Sequence, residues 1–510
     1  MSAHDNVSVI NSPVGEIVQQ SNLKAKESKT TFKPLHIIIG LLIMLLIMFL
    51  PAQEGLSIAG QRMLAVLAFA VYVWVTEAKP YPVSAIAICF LMIVSIGFAP
   101  KVGLDGPLLG TSKAIPLAMS GFINSGWVLV AAGMFLAEAV RLVGLDRRIA
   151  LKILKIVGTD PRAIIGGVIV ACYILAFIIP SIAARAAAII PISMGLIQAF
   201  NVDYKSSFAR QLMLVTGMSA PITALLVLTA GAPNPYTVSL LNSSLNVTIT
   251  WMQWFIWAGP FAIGLGAILF LLVISMNKFE KLEGGAKLIE RYEQELGPMS
   301  GKEKRMAWIF AFTILLWGTE HWHHMDANTI TVFSALLLFL PYVGVSTWKQ
   351  LSSRVDLGTL LVFGVGISIG EVLLKTGAAA WGAKAALGGL GLDSMTPVMM
   401  LATLAVPLII IRLAFASIVA MGALVVPTVL GLLMGFHNTD MPVWGVTLIS
   451  SFLVYFSFLL PVNTPATMLT YSTGTFELKD MLKLGIPLTI LGVGLYILFA
   501  KTYWHWMGLI

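Results

Sequence analysis

A chain of 510 residues leaves room for several soluble domains, but its composition excludes them. Hydrophobic residues make up 58% and charged residues only 11%, the mean hydropathy is +0.90, and a soluble surface needs about 25% charged residues. This defines an all-α polytopic membrane protein, excludes soluble enzymes and nucleic-acid partners, and leaves the +8 net charge to be explained by where the cations sit.

The first 34 residues are polar and contain Lys24, Lys26, Lys29 and Lys33. They read as a cytoplasmic N-terminal tail (1–34), too long for a usual signal peptide, ahead of a retained first helix. Apolar stretches able to cross about 30 Å of hydrocarbon then fall near 35–51, 57–76, 83–99, 119–143, 208–241 and 251–276. These complete a first half, 35–276. Residues 277–305 carry mixed charge and read as a cytoplasmic linker. The second half, 306–510, supplies 306–320, 327–344, 357–376, 443–475 and 484–506, which brings the total to about eleven transmembrane helices.

Two further apolar blocks, 163–200 and 395–436, are too long for one helix and are interrupted in the middle. Each is expected to be a re-entrant hairpin. With the N-terminus in the cytoplasm, most of the 32 Lys and Arg then lie on the inner side, as the positive-inside rule requires. The excess charge orients the chain and meets anionic lipid. Cys89 and Cys172 both lie in apolar runs and form no disulfide framework.

The two halves match. GMFLAEAVRLVG (133–144) aligns with GISIGEVLLKTG (366–377), pairing Glu138 with Glu371; PSIAARAAAIIP (180–191) aligns with ASIVAMGALVVP (416–427); GAPNP (231–235) corresponds to PVNTP (461–465). An odd number of crossings separates equivalent points, so the repeats are expected to be inverted in the membrane. Inverted repeats with interrupted helices point to a secondary transporter whose site lies at the repeat interface.

Irregular backbone survives at membrane depth only where protein or a water-filled cavity satisfies it. Ser181 and Ser417 are expected to cap the second arm of each hairpin, with the amides of Ile182 and Ala183, and of Ile418 and Val419, at the tips. A helix N-terminus favours an anion, and two tips together favour a dianion. At the other two interruptions prolines free carbonyls one turn earlier. Asn234, Asn463 and Thr464, with Pro465, are candidate substrate contacts there, and Thr229, Gly231 and Pro461 are a candidate cation site. Intramembrane Arg185 and Arg412 need a reason: Arg185 is a candidate substrate contact and Arg412 a candidate for charge compensation, with backbone carbonyls as the structural alternative for both. Glu138 and Glu371 are candidate proton carriers, but both stand near span ends before a glycine, where capping or packing is the better explanation. Glu320-His-Trp-His-His324 would be a metal cluster only if its histidines shared a face; its interfacial setting argues against that.

At GLDRRIA (144–150), PSIAAR with Pro191, VDLGTLLVFGVGISIGEVLLKTG (355–377) and PVNTPATMLTYSTGTFELKDMLKLGIP (461–487), the chain resembles the divalent anion:sodium symporter family of di- and tricarboxylate and sulfate carriers. The resemblance implies an eleven-span homodimer, a scaffold and a mobile transport domain, and an elevator mechanism. The family's hairpin tips commonly read Ser-Asn-Thr, where Asn helps to hold sodium and substrate. Here they read Ser181-Ile182-Ala183 and Ser417-Ile418-Val419, and isoleucine offers no oxygen to a hard cation. An arginine supplying the charge that bound sodium would otherwise supply favours exchange or proton coupling, so Na+ and H+ both stand as coupling ions.

The expected function is therefore secondary transport of a small dianionic organic acid, by symport or exchange. A cation/proton antiporter would favour acidic residues at the breaks. A membrane-embedded enzyme would have to use histidines far from every break.

Overall fold

The computed structural model describes residues 34–51, 53–100, 106–277, 279, 294, 296–387, 395–435 and 441–510. Nearly all of the expected tail, most of the linker and residue 436 of the second hairpin block lie outside the described residues. The first half consists of α1 (Pro34–Met48), α2 (Ile58–Thr76), α3 (Tyr81–Gly97), α4 (Thr111–Ala118), α5 (Ser125–Val143), α6 (Leu145–Val157), α7 (Pro161–Ile178), α8 (Ile182–Ala199), α9 (Ser207–Thr223), α10 (Pro233–Leu245) and α11 (Trp251–Met276). The second consists of α12 (Gly301–Gly318), α13 (Ala327–Leu337), α14 (Leu357–Lys375), α15 (Ala378–Leu387), α16 (Pro397–Ala414), α17 (Ile418–Met434), α18 (Val443–Ser451), α19 (Pro465–Tyr471) and α20 (Leu478–Lys501).

From α5 onward the order of elements in the first half recurs from α14. Helices α5 and α14 are both 19 residues long, and α7 and α16 are both 18 with proline in the first turn. Gly144 and Gly377 end the first pair at φ 79° and 73°, the left-handed conformation glycine adopts without steric cost. Polar caps start the helices where side chains reach the free amides: Asn124 on Gly126, Asp160 on Arg162 and Ala163, and Thr250 and Ser300 through reciprocal boxes with Gln253 and Glu303.

Eight helices among the described residues are long and apolar enough to cross a membrane, and shorter apolar helices accompany them. The stretches 208–241 and 443–475, expected as crossings, are both broken: α9 stops at Thr223 and α10 starts at Pro233, while α18 stops at Ser451 and α19 starts at Pro465. Two expectations shift. Ser120–Phe122 form a 3-10 turn rather than the start of α5. The stretch 327–344 is helical only to Leu337, because Pro341 has no amide to donate and the carbonyl of Leu338 instead accepts from Val345 and Ser346. Those 11 residues reach only about 17 Å at 1.5 Å per residue.

Close approach of helices is set by small residues. Gly121 lies against the backbone of Gly364 on α14, where an added Cβ would overlap the Gly364 carbonyl and Ile367. Gly217 on α9 faces Thr467 and Thr470 on α19. The packing is crosswise: α8 of the first hairpin packs on α19 of the second half, and α17 of the second hairpin packs on α10 of the first. Phe261 on α11 gathers Phe452, Phe456, Tyr496, Phe499 and Trp504 around it at 5.3–6.4 Å between ring centroids, which pins the segment after α18.

Candidate substrate site at the helix breaks

Proline chemistry opens the first break. Pro235 cannot donate to Gly231, and the amides of Ala224 and Asn234 bond three residues back, to Pro221 and Gly231. The carbonyls of Ala220 and Ala230 are thereby left out of the helical ladder. Arg185, on the first turn of α8, takes both. Its Nη2 donates to Ala220 O at 2.9 Å, and its Nη1 donates to Ala230 O at 2.8 Å and to Ile179 O, at the end of α7, at 2.5 Å. The side chain is fully buried.

The second break repeats the device with the arginine on the other arm. The amide of Thr467 turns to the Thr464 hydroxyl, so Asn463 O is left for Arg412 Nη2. Arg412 Nη1 donates to Phe415 O at 2.5 Å, and Asn463 Nδ2 returns bonds to the carbonyls of Arg412, Leu413 and Phe415 at 3.1, 3.4 and 3.1 Å. Pro465 frees the carbonyl of Pro461, which accepts from Thr467 Oγ1 at 2.7 Å. In each half, then, a guanidinium ties the hairpin to the broken helix through the oxygens the break sets free. In a medium that offers the guanidinium no alternative acceptor and the carbonyl no alternative donor, that is how two such charges persist.

Among the proposed site residues, Ser181 Oγ caps Ala184 at 3.3 Å and Ser417 Oγ caps Ala420 at 3.2 Å. The amides of Ile182 and Ala183, and of Ile418 and Val419, make no hydrogen bond among the described residues, so both tips keep the expected donors. Ser181, Ile182, Ala183, Ser417 and Val419 are half-buried, Ile418 buried and Pro465 exposed. Asn234 is fully engaged: its Nδ2 donates to Ala224 O and Val227 O, and its Oδ1 accepts from the Tyr455 hydroxyl at 2.6 Å. Thr229 Oγ1 accepts from Trp251 Nε1, and Gly231 faces the Tyr455 hydroxyl. The oxygens of Thr229, Ala230 and Pro461 thus already have donors. Arg185 Nε, Arg412 Nε and Asn463 Oδ1 are buried without a hydrogen-bond partner among the described residues.

Sequence reasoning missed Tyr455, which joins the two breaks through Asn234, and Thr467, which donates to the freed carbonyl of Pro461 at the second break. A polar residue inside an otherwise apolar run, eight positions before Asn463, was the available signal for Tyr455. Glu138 pairs with Arg141 on its own helix, whereas Glu371 is buried and bonded across helices. His323 bonds its own helix through Leu316 O, and no group of three or more potential metal ligands occurs among the described residues.

Apolar spanning helices, paired hairpins and two helices broken at corresponding positions define an integral membrane transporter. The pattern of the sodium:sulfate symporter transmembrane region matches residues 31–510. A membrane protein of Cupriavidus necator is 40% identical over 91% of both chains. An L-tartrate/succinate antiporter of Escherichia coli K12 is 27% identical, covering 92% of this chain and 97% of that one. The crystal structure of the Alcanivorax borkumensis YdaH transporter shares the fold with a TM-score of 0.55 at 13% identity, over 83% of this chain and 98% of the other. This chain belongs to the sodium:sulfate, or divalent anion:sodium, symporter family.

Proposed function

We propose that the protein exchanges small dicarboxylates across the membrane without a sodium requirement. The observation that carries this reading is the pair of guanidiniums seated on the freed carbonyls of the two breaks, Arg185 on Ala220 O and Ala230 O and Arg412 on Asn463 O. Those oxygens are the ones a coupling cation would need, and a tethered charge holds them instead. An anion arriving at the tips meets two helix N-termini, each worth about half a positive charge, with Arg185 and Arg412 behind them. The name of the tartrate/succinate antiporter supports exchange and the substrate class.

The substrate would lie between Ser181-Ile182-Ala183, Ser417-Ile418-Val419 and Asn463-Thr464-Pro465, with Arg185 and Asn234 supporting the first break. Alternating access would be of the elevator type: α7–α11 and α16–α20 carry the site past the remaining helices, within inverted repeats, in a homodimer, with the N-terminus and the 277–305 linker in the cytoplasm. The cation/proton antiporter reading gains nothing from the structure, since the breaks carry no acidic side chain.

Purified protein in liposomes loaded with succinate tests the proposal. Labelled succinate or L-tartrate should enter equally well with and without a sodium gradient, and only when internal dicarboxylate is present. Strict sodium dependence, or uptake into empty liposomes, would sink it.

A further inference from the structure

Far from the breaks, α9, α11 and α20 pack together at the face of the protein from which the 277–305 linker departs. They leave a cleft of about 390 Å³ lined by Arg210, Gln211, Asn277, Asp480, Lys483 and the buried Leu484. Sites for small molecules run from about 300 to 1,000 Å³. The walls come from both halves of the chain, α9 and α11 from the first and α20 from the second.

The charges in this cleft do not cancel. Arg210 Nη1 pairs with Asp480 Oδ1 at 3.2 Å, and the other Asp480 oxygen accepts from the amide of Glu477 at 2.9 Å. Lys483 is exposed and has no ion pair or hydrogen bond among the described residues. One positive charge is therefore left over. One acceptor is left over as well. Gln211 Nε2 and the Ser207 hydroxyl donate to Asn277 Oδ1 at 3.2 and 3.3 Å, and Asn277 Nδ2 donates to Val273 O at 2.9 Å. Gln211 Oε1, by contrast, is buried with no hydrogen-bond partner among the described residues, and a buried acceptor without a donor is costly. The occupant that suits the cleft carries a single negative charge and a hydrogen-bond donor. Its level in the membrane narrows the choice further. The rim stands at the ends of spanning helices, and from Lys483 the same stripe of α20 continues one and two turns on through Ile486 and Ile490, both exposed.

We propose that this cleft binds the headgroup of an anionic phospholipid, with the phosphodiester at Lys483 and Arg210, a headgroup hydroxyl donating to Gln211 Oε1, and an acyl chain along Ile486 and Ile490. Basic pockets between spanning helices hold lipid headgroups in this way. A phosphodiester bears one charge and matches the surplus, whereas the zwitterion of phosphatidylethanolamine leaves it unmatched. Phosphatidylglycerol supplies both the charge and the hydroxyls. Arg210 and Asp480 lie 270 positions apart in the chain, so a lipid seated beside their ion pair braces the two halves against one another. Binding here does not depend on which solute is carried, and it is read by thermal unfolding rather than by transport.

The test uses the delipidated full chain in neutral detergent, with unfolding temperature followed over lipid titrations. Phosphatidylglycerol should stabilise wild type saturably. It should bind about fivefold more tightly than phosphatidylmethanol, which has the same charge and no hydroxyl. Phosphatidylethanolamine and glycerol 1-phosphate should not stabilise at the same concentrations. Lys483→Gln should weaken phosphatidylglycerol about fivefold, and Gln211→Leu should bind the two anionic lipids equally. Lys479→Gln alters a cation of the same helix that is paired with Glu477 outside the cleft, and should bind as wild type does. Equal stabilisation by phosphatidylethanolamine, wild-type affinity in Lys483→Gln, or a hydroxyl preference that survives in Gln211→Leu overturns the proposal. Equal stabilisation by glycerol 1-phosphate overturns the lipid as occupant in favour of a soluble phosphate ester. Should Gln211→Leu not fold, wild type decides: equal affinity for phosphatidylglycerol and phosphatidylmethanol overturns the hydroxyl contact.

Discussion

Replacing Arg185 by methionine separates what its guanidinium does for stability from what it does for the substrate. Three hydrogen bonds disappear. Ala220 O keeps the Thr223 hydroxyl, so two carbonyls, Ile179 and Ala230, are orphaned at about 1–3 kcal/mol each. Against that, the variant no longer buries a charge, which ordinarily costs several kcal/mol even after relaxation. The two terms are of similar size, and methionine fills most of the volume. Net destabilisation should stay below about 3 kcal/mol, and the protein should remain folded. Charge is a different matter. A unit charge about 8 Å from an anion at an effective dielectric constant near 20 is worth about 2 kcal/mol, so dicarboxylate affinity should fall about thirtyfold. Arg185→Lys keeps the charge and should lose far less. The assay is ligand-dependent thermal shift over a succinate titration in sodium-free buffer, with counterflow in liposomes at matched concentrations. Wild-type affinity in a folded Arg185→Met protein would refute the role given to the guanidinium.

Two further outcomes follow from other contacts. Asn463→Leu removes three bonds to the end of α16; at about 0.6 kcal/mol for an average hydrogen bond in a membrane protein, it should cost about 2 kcal/mol in chemical unfolding, and no measurable loss would show that Asn463 does not hold the hairpin. Glu303, ahead of the apolar part of α12, pairs with Arg148 on α6 at 2.6 Å. Burial opposes its ionisation, but hydrogen bonds from Arg148 and Ser300 outweigh burial and hold its carboxyl below the usual carboxylate range. Its folded pKa is depressed, so its contribution is present above the unfolded value of about 4.3 and lost as pH falls through the folded value. Wild type should therefore lose more stability than Glu303→Gln on acidification from about pH 5, measured by thermal unfolding; parallel curves would refute the assignment.

Much of this was legible in the sequence, for physical reasons. Lipid cannot satisfy backbone, so apolar length, proline and serine marked the spans, both hairpin turns and both breaks. The repeat marked which interruptions correspond. What sequence could not supply was the partner of each buried charge. Arg185 and Arg412 sit on opposite arms of their hairpins, one after the tip and one before it, so no alignment pairs them; only the folded backbone shows both gripping carbonyls freed by their own half's break. Stretch 327–344 was equally opaque, because its apolar content is right for a span and only the turn at Pro341–Gly344 shortens the helix. Glu371 looked like its mate Glu138 until Asn124, almost 250 positions away, came to lie beside it.

The crosswise packing bears on how the chain is made. When the ribosome has delivered only the first half, α8 lacks α19, α10 lacks α17, and Asn234 lacks the Tyr455 hydroxyl. The nascent first half therefore holds its own break through Arg185, but leaves Asn234 Oδ1 without its donor until the segment carrying Tyr455 has been inserted. Two separately synthesised halves can complete one another only by meeting in the same membrane, and a chain truncated after the linker leaves that amide oxygen and the faces of α8 and α10 uncovered.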